Sequence, residues 1–337
     1  SIWARAVNHE VPAAEVSTFV DDTGATATRP GILQDVLKVT KDYADLTNQK
    51  LNATKSASYS TVTCRMRRLK FDNNHIPQKQ VVKSVGVELS LGMAPADETM
   101  HKRLGKGREI ATMFQWSPLP FEVRARMLES MVLPHALYGC TACPISKRQL
   151  DKLGTSLLRS LWGRGSRRRC KEVVFSILAP GHALDPKQYV IAQRLSAYQR
   201  LVARRDDLIP LIGKVWSATF FSASIVPGPV ALVRDAVSEI GWSWPAPHEM
   251  ITHEGLPVDL RAVGREMWMH LVREGLRHMV WSQAAKRRWD MQGLDQGVDR
   301  EATQALISKS DGTPYQRGLL RAVITGAVWT QDRAFRA

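Results

Sequence analysis

The sequence has few cysteines, too few acids to balance its bases, and no long hydrophobic run. Only 4 of its 337 residues are cysteine, and their spacing does not resemble a disulfide framework, which favours a reducing compartment. No apolar segment approaches the roughly 20 residues that cross a bilayer, and no signal peptide is recognisable. We therefore expect a soluble, intracellular protein without a membrane partner.

The shortage of acids leaves a large positive charge. The chain has 47 Lys and Arg against 32 Asp and Glu, a net charge of +15. Such an excess favours a polyanionic partner, and without membrane signals nucleic acid is the preferred one. Residues 144–205 alone hold fourteen bases and three acids, a net charge of +11.

The cations of this basic region are most concentrated in residues 164–171, the basic segment, which follows a predicted helix over residues 149–162. Lys and Arg neutralise backbone phosphates, so this segment predicts a nucleic-acid contact. The alternative is an ordinary solvated surface, and Trp162 beside it is expected to be a core residue rather than a base-stacking one. The predicted nucleic-acid-binding residues are Arg164, Arg167, Arg168, Arg169 and Lys171.

The hydrophobic pattern changes once along the chain. Strands are predicted first, over residues 15–20, 25–28, 59–65 and 80–91, with one helix after Pro30. From about residue 94 every strongly periodic segment is helical, so the predicted fold class is α+β. No helix or strand is predicted over residues 1–12, and the N-terminus resembles a cut inside a longer protein. The predicted domains are 1–93, 94–205 and 206–337.

Several helices of the second part have predicted core faces. In the helix over residues 120–138, Val123, Met127 and Met131 are in register, and Pro134 is expected to kink or end it. Further helices are predicted over residues 149–162, 186–204 and 261–281, and residues 244–247 (Trp-Pro-Ala-Pro) as a loop. The later tryptophans are expected to be core residues. Cys140 and Cys143 lack partners for a zinc site and are predicted to be small buried residues.

Two adjacent carboxylates stand at the predicted turn of the first hairpin, in residues 19–22 (Phe-Val-Asp-Asp). Such a pair is most often an exposed turn. Flanked by strands and followed by a helix, adjacent carboxylates can also hold hard cations. Two such cations can clamp the attacking and leaving oxygens of a phosphoryl transfer.

This segment resembles the aromatic-x-Asp-Asp hairpin of the reverse transcriptase palm. Residues 50–56 (Lys-Leu-Asn-Ala-Thr-Lys-Ser) are similar to the segment that follows the hairpin in retrotransposon polymerases. Residues 82–89 (Val-Lys-Ser-Val-Gly-Val-Glu-Leu) resemble the strand that grips the primer, and residues 119–139 the thumb helix. Over residues 15–205, with decreasing specificity, the chain thus resembles the C-terminal half of the palm plus the thumb of a non-LTR (LINE-type) retrotransposon reverse transcriptase.

The resemblance implies a palm remnant, an all-α thumb and a helical C-terminal extension. It implies an RNA-directed DNA polymerase that uses Mg²⁺ and deoxynucleoside triphosphates on an RNA template and DNA primer, in the nucleus at the site of integration. Asp21 and Asp22 would be catalytic metal ligands, and Lys55 would lie near the incoming nucleotide. Val85 and Gly86 would belong to the primer grip.

The resemblance also implies missing parts. The fingers and the earlier strand with a further metal-binding aspartate have no counterpart in this sequence, so we expect the fragment to be inactive alone. The alternative is a non-catalytic nucleic-acid-binding helical module from a degenerate or reused element. In that case the Asp21–Asp22 pair is a relict.

Overall fold

The chain forms two compact units, Ser1–Ala96 and Asp97–Ala337, and combines helices with small sheets in an α+β fold. The computed structural model describes residues 1–19, 22–50, 52, 55–60, 68–72, 74–84, 86–90, 97–162, 169–179, 184–221, 228–308 and 312–327.

The described residues of the first unit form two helices and four strand pairs. β1 pairs with β2, β3 with β6, β4 with β5 and β7 with β8, and only the β3–β6 pair is parallel. The elements are α1 (Ile2–Glu10), β1 (Glu15–Phe19), β2 (Asp22–Thr26), α2 (Pro30–Thr47), β3 (Ser58–Tyr59), β4 (Lys70–Phe71), β5 (Asn74–His75), β6 (Gln78–Lys79), β7 (Val81–Ser84) and β8 (Val87–Ser90).

Helix α1 was not predicted, and two features explain it. The Ser1 side chain accepts a hydrogen bond from the Ala4 amide, which caps the first turn. Trp3 and Val7 are buried in a cluster with residues of α2, and the Trp3 indole donates to Thr40 Oγ1 at 3.1 Å. The helix therefore depends on tertiary packing that a local pattern does not reveal.

The strand predicted over residues 80–91 is instead the hairpin β7–β8. Ser84 pairs with Val87, so only two residues connect the strands. One of them, Gly86, has a φ of +74°, a conformation that side chains disfavour and two-residue hairpin turns require. Because apolar residues alternate across this turn, the sequence predicted one continuous strand instead of a hairpin.

The second unit is mainly helical. Its helix through residues 121–136 is interrupted by a π-helical turn, Leu128–Val132, which ends two residues before Pro134, and the helix ends two residues after that proline. The elements are α3 (Glu98–Phe114), α4 (Phe121–Met127), α5 (Leu133–Ala136), α6 (Lys147–Trp162), α7 (Lys171–Val173), α8 (Pro186–Arg204), α9 (Ile209–Phe221), α10 (Pro229–Glu239), β9 (Ser243–Ala246), β10 (Glu249–Ile251), β11 (Pro257–Asp259), α11 (Arg265–Arg287), α12 (Arg300–Ser308) and α13 (Pro314–Ile324).

The predicted core faces of α6 and α8 are confirmed. In α6 the four predicted leucines are buried, and in α8 the predicted apolar residues are buried as well. Each of these helices has apolar residues at helical spacing on one side and cations on the other. The sequence therefore shows which of its faces is buried in the core. The buried residues are Leu150, Leu153, Leu157 and Leu161 in α6, and Ile191, Leu195, Tyr198 and Val202 in α8.

The predicted core face of the helix over residues 120–138 is wrong. Val123 and Met131 are 41% and 51% exposed, whereas Leu128 and Val132 are fully buried. Two apolar stripes compete on this helix. The stripe with Leu128 and Val132 continues into the equally buried Leu133, so it offers the longer surface to α3 and α6.

The prediction of helices alone after residue 94 is also wrong. Strands β9, β10 and β11 form a three-stranded antiparallel sheet, and β9 includes residues 244–246 of the predicted Trp-Pro-Ala-Pro loop. Trp242 and Trp244 alternate with exposed residues, so the segment has the two-residue period of a strand. The two prolines favoured a loop in the sequence-based prediction. Pro245 is compatible with β9 because β9 lies at an edge of the sheet.

Tryptophans dominate the core of the second unit. Trp242, Trp244, Trp268 and Trp281 are buried, which confirms the prediction for these four, whereas Trp289 is 41% exposed. One hydrophobic cluster joins them to residues of α8, α9, α10 and α11, on both sides of the predicted domain boundary at residue 205. In the parts of the chain that the structure describes, no helix is both long and apolar enough to cross a membrane.

The turn after β10 meets α11 through two stacked imidazoles. The ring centroids of His253 and His278 are 4.4 Å apart, and the Trp242 indole donates to His253 Nδ1 at 3.4 Å. Burial first, and then the charge of His278, lowers the pKa of His253, while Glu254 and Glu274 oppose the shift. Protonation of His253 would place a charge on a partly buried ring and remove the acceptor of the Trp242 indole.

Acidification is expected to destabilise the second unit through this pair. Because the pKa of His253 is lowered from 6.5 in the folded state, the unfolded chain takes up the proton more readily. The unfolding free energy therefore falls as the pH drops from about 7 through the lowered pKa, and levels off below it. His278→Ala should reduce this loss, measured as the difference between about pH 7.5 and about pH 5. An equal loss in both proteins would contradict this role.

Matched alanine substitutions test the corrected helix face. Leu128→Ala should lower the unfolding free energy of the second unit by about 2–5 kcal/mol, since Leu128 is fully buried. Met131→Ala should change it by no more than about 0.5 kcal/mol. Urea denaturation measures both variants, and a larger effect of Met131→Ala would restore the originally predicted face.

Candidate nucleic-acid interface

The first hairpin is held at its base by the helices of its unit. Val36 of α2 is buried with residues of α1, and Val16 of β1 and Ala25 of β2 pack against that cluster. The strand register ends at the pair of Phe19 and Asp22, so two residues, Val20 and Asp21, connect the strands. Those two residues and the Asp22 side chain lie outside the described part of the chain.

Lys55 lies on a turn. Its amide donates to both the backbone and the side-chain oxygen of Asn52, at 3.1 Å each, and the Ser56 amide also bonds to the Asn52 carbonyl. Asparagine often organises a turn in this way. The Lys55 side chain is exposed to solvent.

The predicted primer-grip residues stand at the turn of the β7–β8 hairpin. Gly86 is the second residue of that turn, while Val85 lies outside the described residues. The described contacts do not relate this turn to the first hairpin or to Lys55. A shared catalytic centre for Asp21, Asp22 and Lys55 therefore stays a prediction.

Two of the five predicted phosphate-contacting cations have protein partners. The Arg169 guanidinium lies 4.8 Å above the centre of the Trp162 ring, and its partial burial lowers its pKa to about 10. Lys171 Nζ lies 2.8 Å from an Asp151 carboxylate oxygen. Arg164, Arg167 and Arg168 fall in residues 163–168, outside the described residues.

Trp162 and Arg169 belong to a column of rings and cations at one end of α6. The edge of Phe121 meets Trp162, with centroids 6.0 Å apart, and the Arg321 guanidinium lies 5.0 Å from the Phe121 ring centre. Arg321 is also ion-paired with Glu122. Since cation–ring contacts stabilise most when partly desolvated, the contact of Arg169 with Trp162 anchors the C-terminal end of the basic segment to α6.

A polar cleft of about 520 Å³ lies at the other end of α6, between α6 and α3. His101 of α3 and Gln149 of α6 meet there, their Nε2 atoms 2.6 Å apart. Gln149 Oε1 also accepts from the Ser146 amide and hydroxyl, at 2.9 Å each, and Arg148 and Lys152 line the same cleft. Asp97 on its rim lies 3.4 Å from His101 Nδ1.

The cleft was not predicted from the sequence. Arg148 and Lys152 were counted in the basic region, but the meeting of α3 and α6 depends on a contact between residues 48 apart. The capping pattern of Ser146 and Gln149 is a local signal for the start of α6. It could have placed this helix end, although not its neighbour.

The cysteine pair is structural. Cys140 and Cys143 are 2% and 3% exposed, which confirms the prediction of two buried residues. Burial raises the pKa of the Cys140 thiol to about 11, so it is a poor nucleophile near neutral pH. The Arg194 guanidinium donates to the carbonyl oxygens of both cysteines, at 3.0 and 3.3 Å.

Comparison with known proteins adds no family assignment. No family model, curated protein or solved structure matches the chain.

A double-mutant cycle tests the anchoring role of Arg169. Arg169→Ala and Trp162→Leu should each lower the unfolding free energy, with a coupling of about 1 kcal/mol between them. Lys171→Ala and Asp151→Ala form the matched control at a more exposed ion pair, whose coupling should stay below that value. If Arg169 and Trp162 show no coupling, the anchoring role is excluded.

Proposed function

We propose that this chain is part of an RNA-directed DNA polymerase of the non-LTR retrotransposon type. The first unit would contribute to nucleotidyl transfer, and the second would hold the RNA–DNA hybrid. The observation that carries the proposal is the short hairpin β1–β2, which has the Asp21–Asp22 pair at its connection and a helix, α2, four residues after it. This is the element order that the resemblance predicts.

The chemistry of the proposed first site follows from its side chains. Asp21 and Asp22 offer carboxylate oxygens, the ligands that Mg²⁺ prefers. Magnesium bound there would stabilise the charge that develops at the transferred phosphoryl group. Lys55 would supply a proton to the departing pyrophosphate, and its exposure on a turn leaves the ammonium accessible to such a group.

The charge of the second unit supports the proposed hybrid binding. Its exposed cations include Arg148, Lys152 and Arg159 on one helix, and the first two of these line the cleft. A-form duplexes are recognised through shape, phosphates and 2′-hydroxyls rather than through base edges. A helical surface with flexible cations and hydrogen-bonding side chains fits that mode of recognition.

The sheet topology favours a second candidate, a non-catalytic nucleic-acid-binding module. Among the described strands, β1 and β2 pair only with each other. No described strand beside the hairpin therefore brings a further carboxylate to it, although two-metal sites need several oxygen ligands. In this second function the helical unit alone would act.

Metal and hybrid binding, measured separately on the full chain, test both candidates. Calorimetry with Mn²⁺ as the probe should detect binding that Asp21→Asn/Asp22→Asn abolishes. Asp206→Asn/Asp207→Asn, the other adjacent aspartate pair, is the matched control and should leave it unchanged. Anisotropy of a labelled RNA–DNA hybrid should show salt-dependent binding in all three proteins.

The outcomes separate the candidates. If the chain binds the hybrid but the Asp21/Asp22 substitutions do not change Mn²⁺ binding, the non-catalytic module is supported. The polymerase proposal is then contradicted. Absence of hybrid binding at low salt would contradict both. If the chain binds both Mn²⁺ and the hybrid, it can be fused to the fingers and upstream palm of a related polymerase. The fusion should then extend a primer, and the Asp21/Asp22 substitutions should reduce this extension to background.

A further inference from the structure

Three exposed cations form a straight stripe along α6. Arg148, Lys152 and Arg159 are four and eleven positions apart, which places them within about 40° of one another around the helix. All three are exposed, and the rise of the helix spreads them over about 16 Å. The leucines of the same helix are buried on another face.

The positive charge of this stripe is not compensated by the part of the chain that the structure describes. Within that part, none of the three cations makes an ion pair. The single acid of α6, Asp151, is held by Lys171 at 2.8 Å. Like charges four positions apart on a helix disfavour each other, so Arg148 and Lys152 together carry a cost that an anion would remove.

The surface beside the stripe is polar and pre-organised. Gln149 is held by both Ser146 and His101, so the wall of the cleft is fixed before any ligand binds. The cleft of about 520 Å³ opens along the half of the stripe that contains Arg148 and Lys152. The wall offers hydroxyl, amide and imidazole groups, which suit phosphate oxygens and sugars, and the Asp97 carboxylate on its rim lies 3.4 Å from His101 Nδ1.

We infer that the α6 stripe, with the cleft beside it, is a track for a single phosphodiester backbone. This inference rests on the proposed nucleic-acid binding and identifies the surface that performs it. The three cations of the stripe, spread over about 16 Å, can each meet a different phosphate of one strand. The track is separate from Arg169 and Lys171, which already have protein partners.

The character of the stripe favours nucleic acid over an acidic protein. Protein interfaces concentrate their affinity in buried aromatic and large apolar side chains. The exposed positions of α6 are Lys147, Arg148, Asp151, Lys152, Thr155 and Arg159, and none of them is aromatic or large and apolar. A polyelectrolyte backbone needs no such apolar anchor.

The experiment compares two cation pairs of identical spacing in the full chain. Arg148→Gln/Lys152→Gln removes two charges from the stripe. Arg200→Gln/Arg204→Gln removes two exposed charges from α8, also four positions apart. Anisotropy of a labelled RNA–DNA hybrid of about 20 base pairs is followed over about 50–300 mM salt.

Arg148→Gln/Lys152→Gln should reduce the slope of log affinity against log salt concentration by about two. The same variant should bind the hybrid at least about tenfold more weakly at physiological salt. The α8 pair should leave the slope within about half a unit. Arg148→Lys/Lys152→Arg, which keeps the charge, should retain the original slope. Circular dichroism and the urea midpoint confirm that each variant is folded.

Each outcome decides one question. If the unsubstituted chain does not bind the hybrid, the proposed nucleic-acid function fails. If it binds but the two pairs have equal effects, the stripe inference alone is overturned. Displacement of the hybrid by polyglutamate at equal charge concentration, with the same dependence on Arg148 and Lys152, would identify the stripe as an acidic-protein surface and also overturn it.

Discussion

The buried leucines of α6 determine the direction in which Arg148, Lys152 and Arg159 face. Leu153 and Leu157 are fully buried, and Leu161 almost so, which leaves the helix little rotational freedom. The Ser160 hydroxyl, bonded to the Ala111 carbonyl of α3, fixes the same orientation. The stripe and the cleft follow from this single constraint, because a helix with one buried face can present only the opposite face to a ligand.

The two ends of α6 make different contacts because their neighbours differ. At the C-terminal end, Trp162 lies between Phe121 and Arg169, and Arg321 brings α13 to the same column. The Cys170 amide also donates to the Thr325 carbonyl at 2.9 Å. These contacts join parts of the chain that are far apart in sequence. The N-terminal end instead opens into the cleft, where Arg148 and Lys152 face solvent.

Sequence reasoning succeeded where one helix face was much more apolar than the other. It predicted α6 and α8 with their buried residues, because leucine and isoleucine there alternate with cations at helical spacing. It failed where two apolar faces competed, as at Val123 and Leu128, since tertiary contacts alone chose between them. It also missed β9, because prolines beside tryptophans resemble a loop until the sheet is known.

For the candidate site too, the sequence predicted the features that depend on local composition and missed those that depend on tertiary contacts. Local composition identified the basic region and the Asp21–Asp22 hairpin, whose strands β1 and β2 the structure contains. It did not separate Arg169, which packs on Trp162, from Arg148, which faces solvent. That difference depends on residues distant in sequence, so a count of charges could not show it.

The net charge of +11 over residues 144–205 therefore overstates the surface available to a polyanion. Lys187 is paired with Glu239 at 2.8 Å, and Arg194 donates to the Cys140 and Cys143 carbonyls. A cation that already neutralises a carboxylate releases fewer counterions when a phosphate approaches. The salt dependence of binding should consequently follow the unpaired, exposed cations that line the bound backbone rather than the total. Among the described residues of this region, Arg200 and Arg204 of α8 also meet both conditions, but the cations of the α6 stripe are the ones that have the cleft beside them.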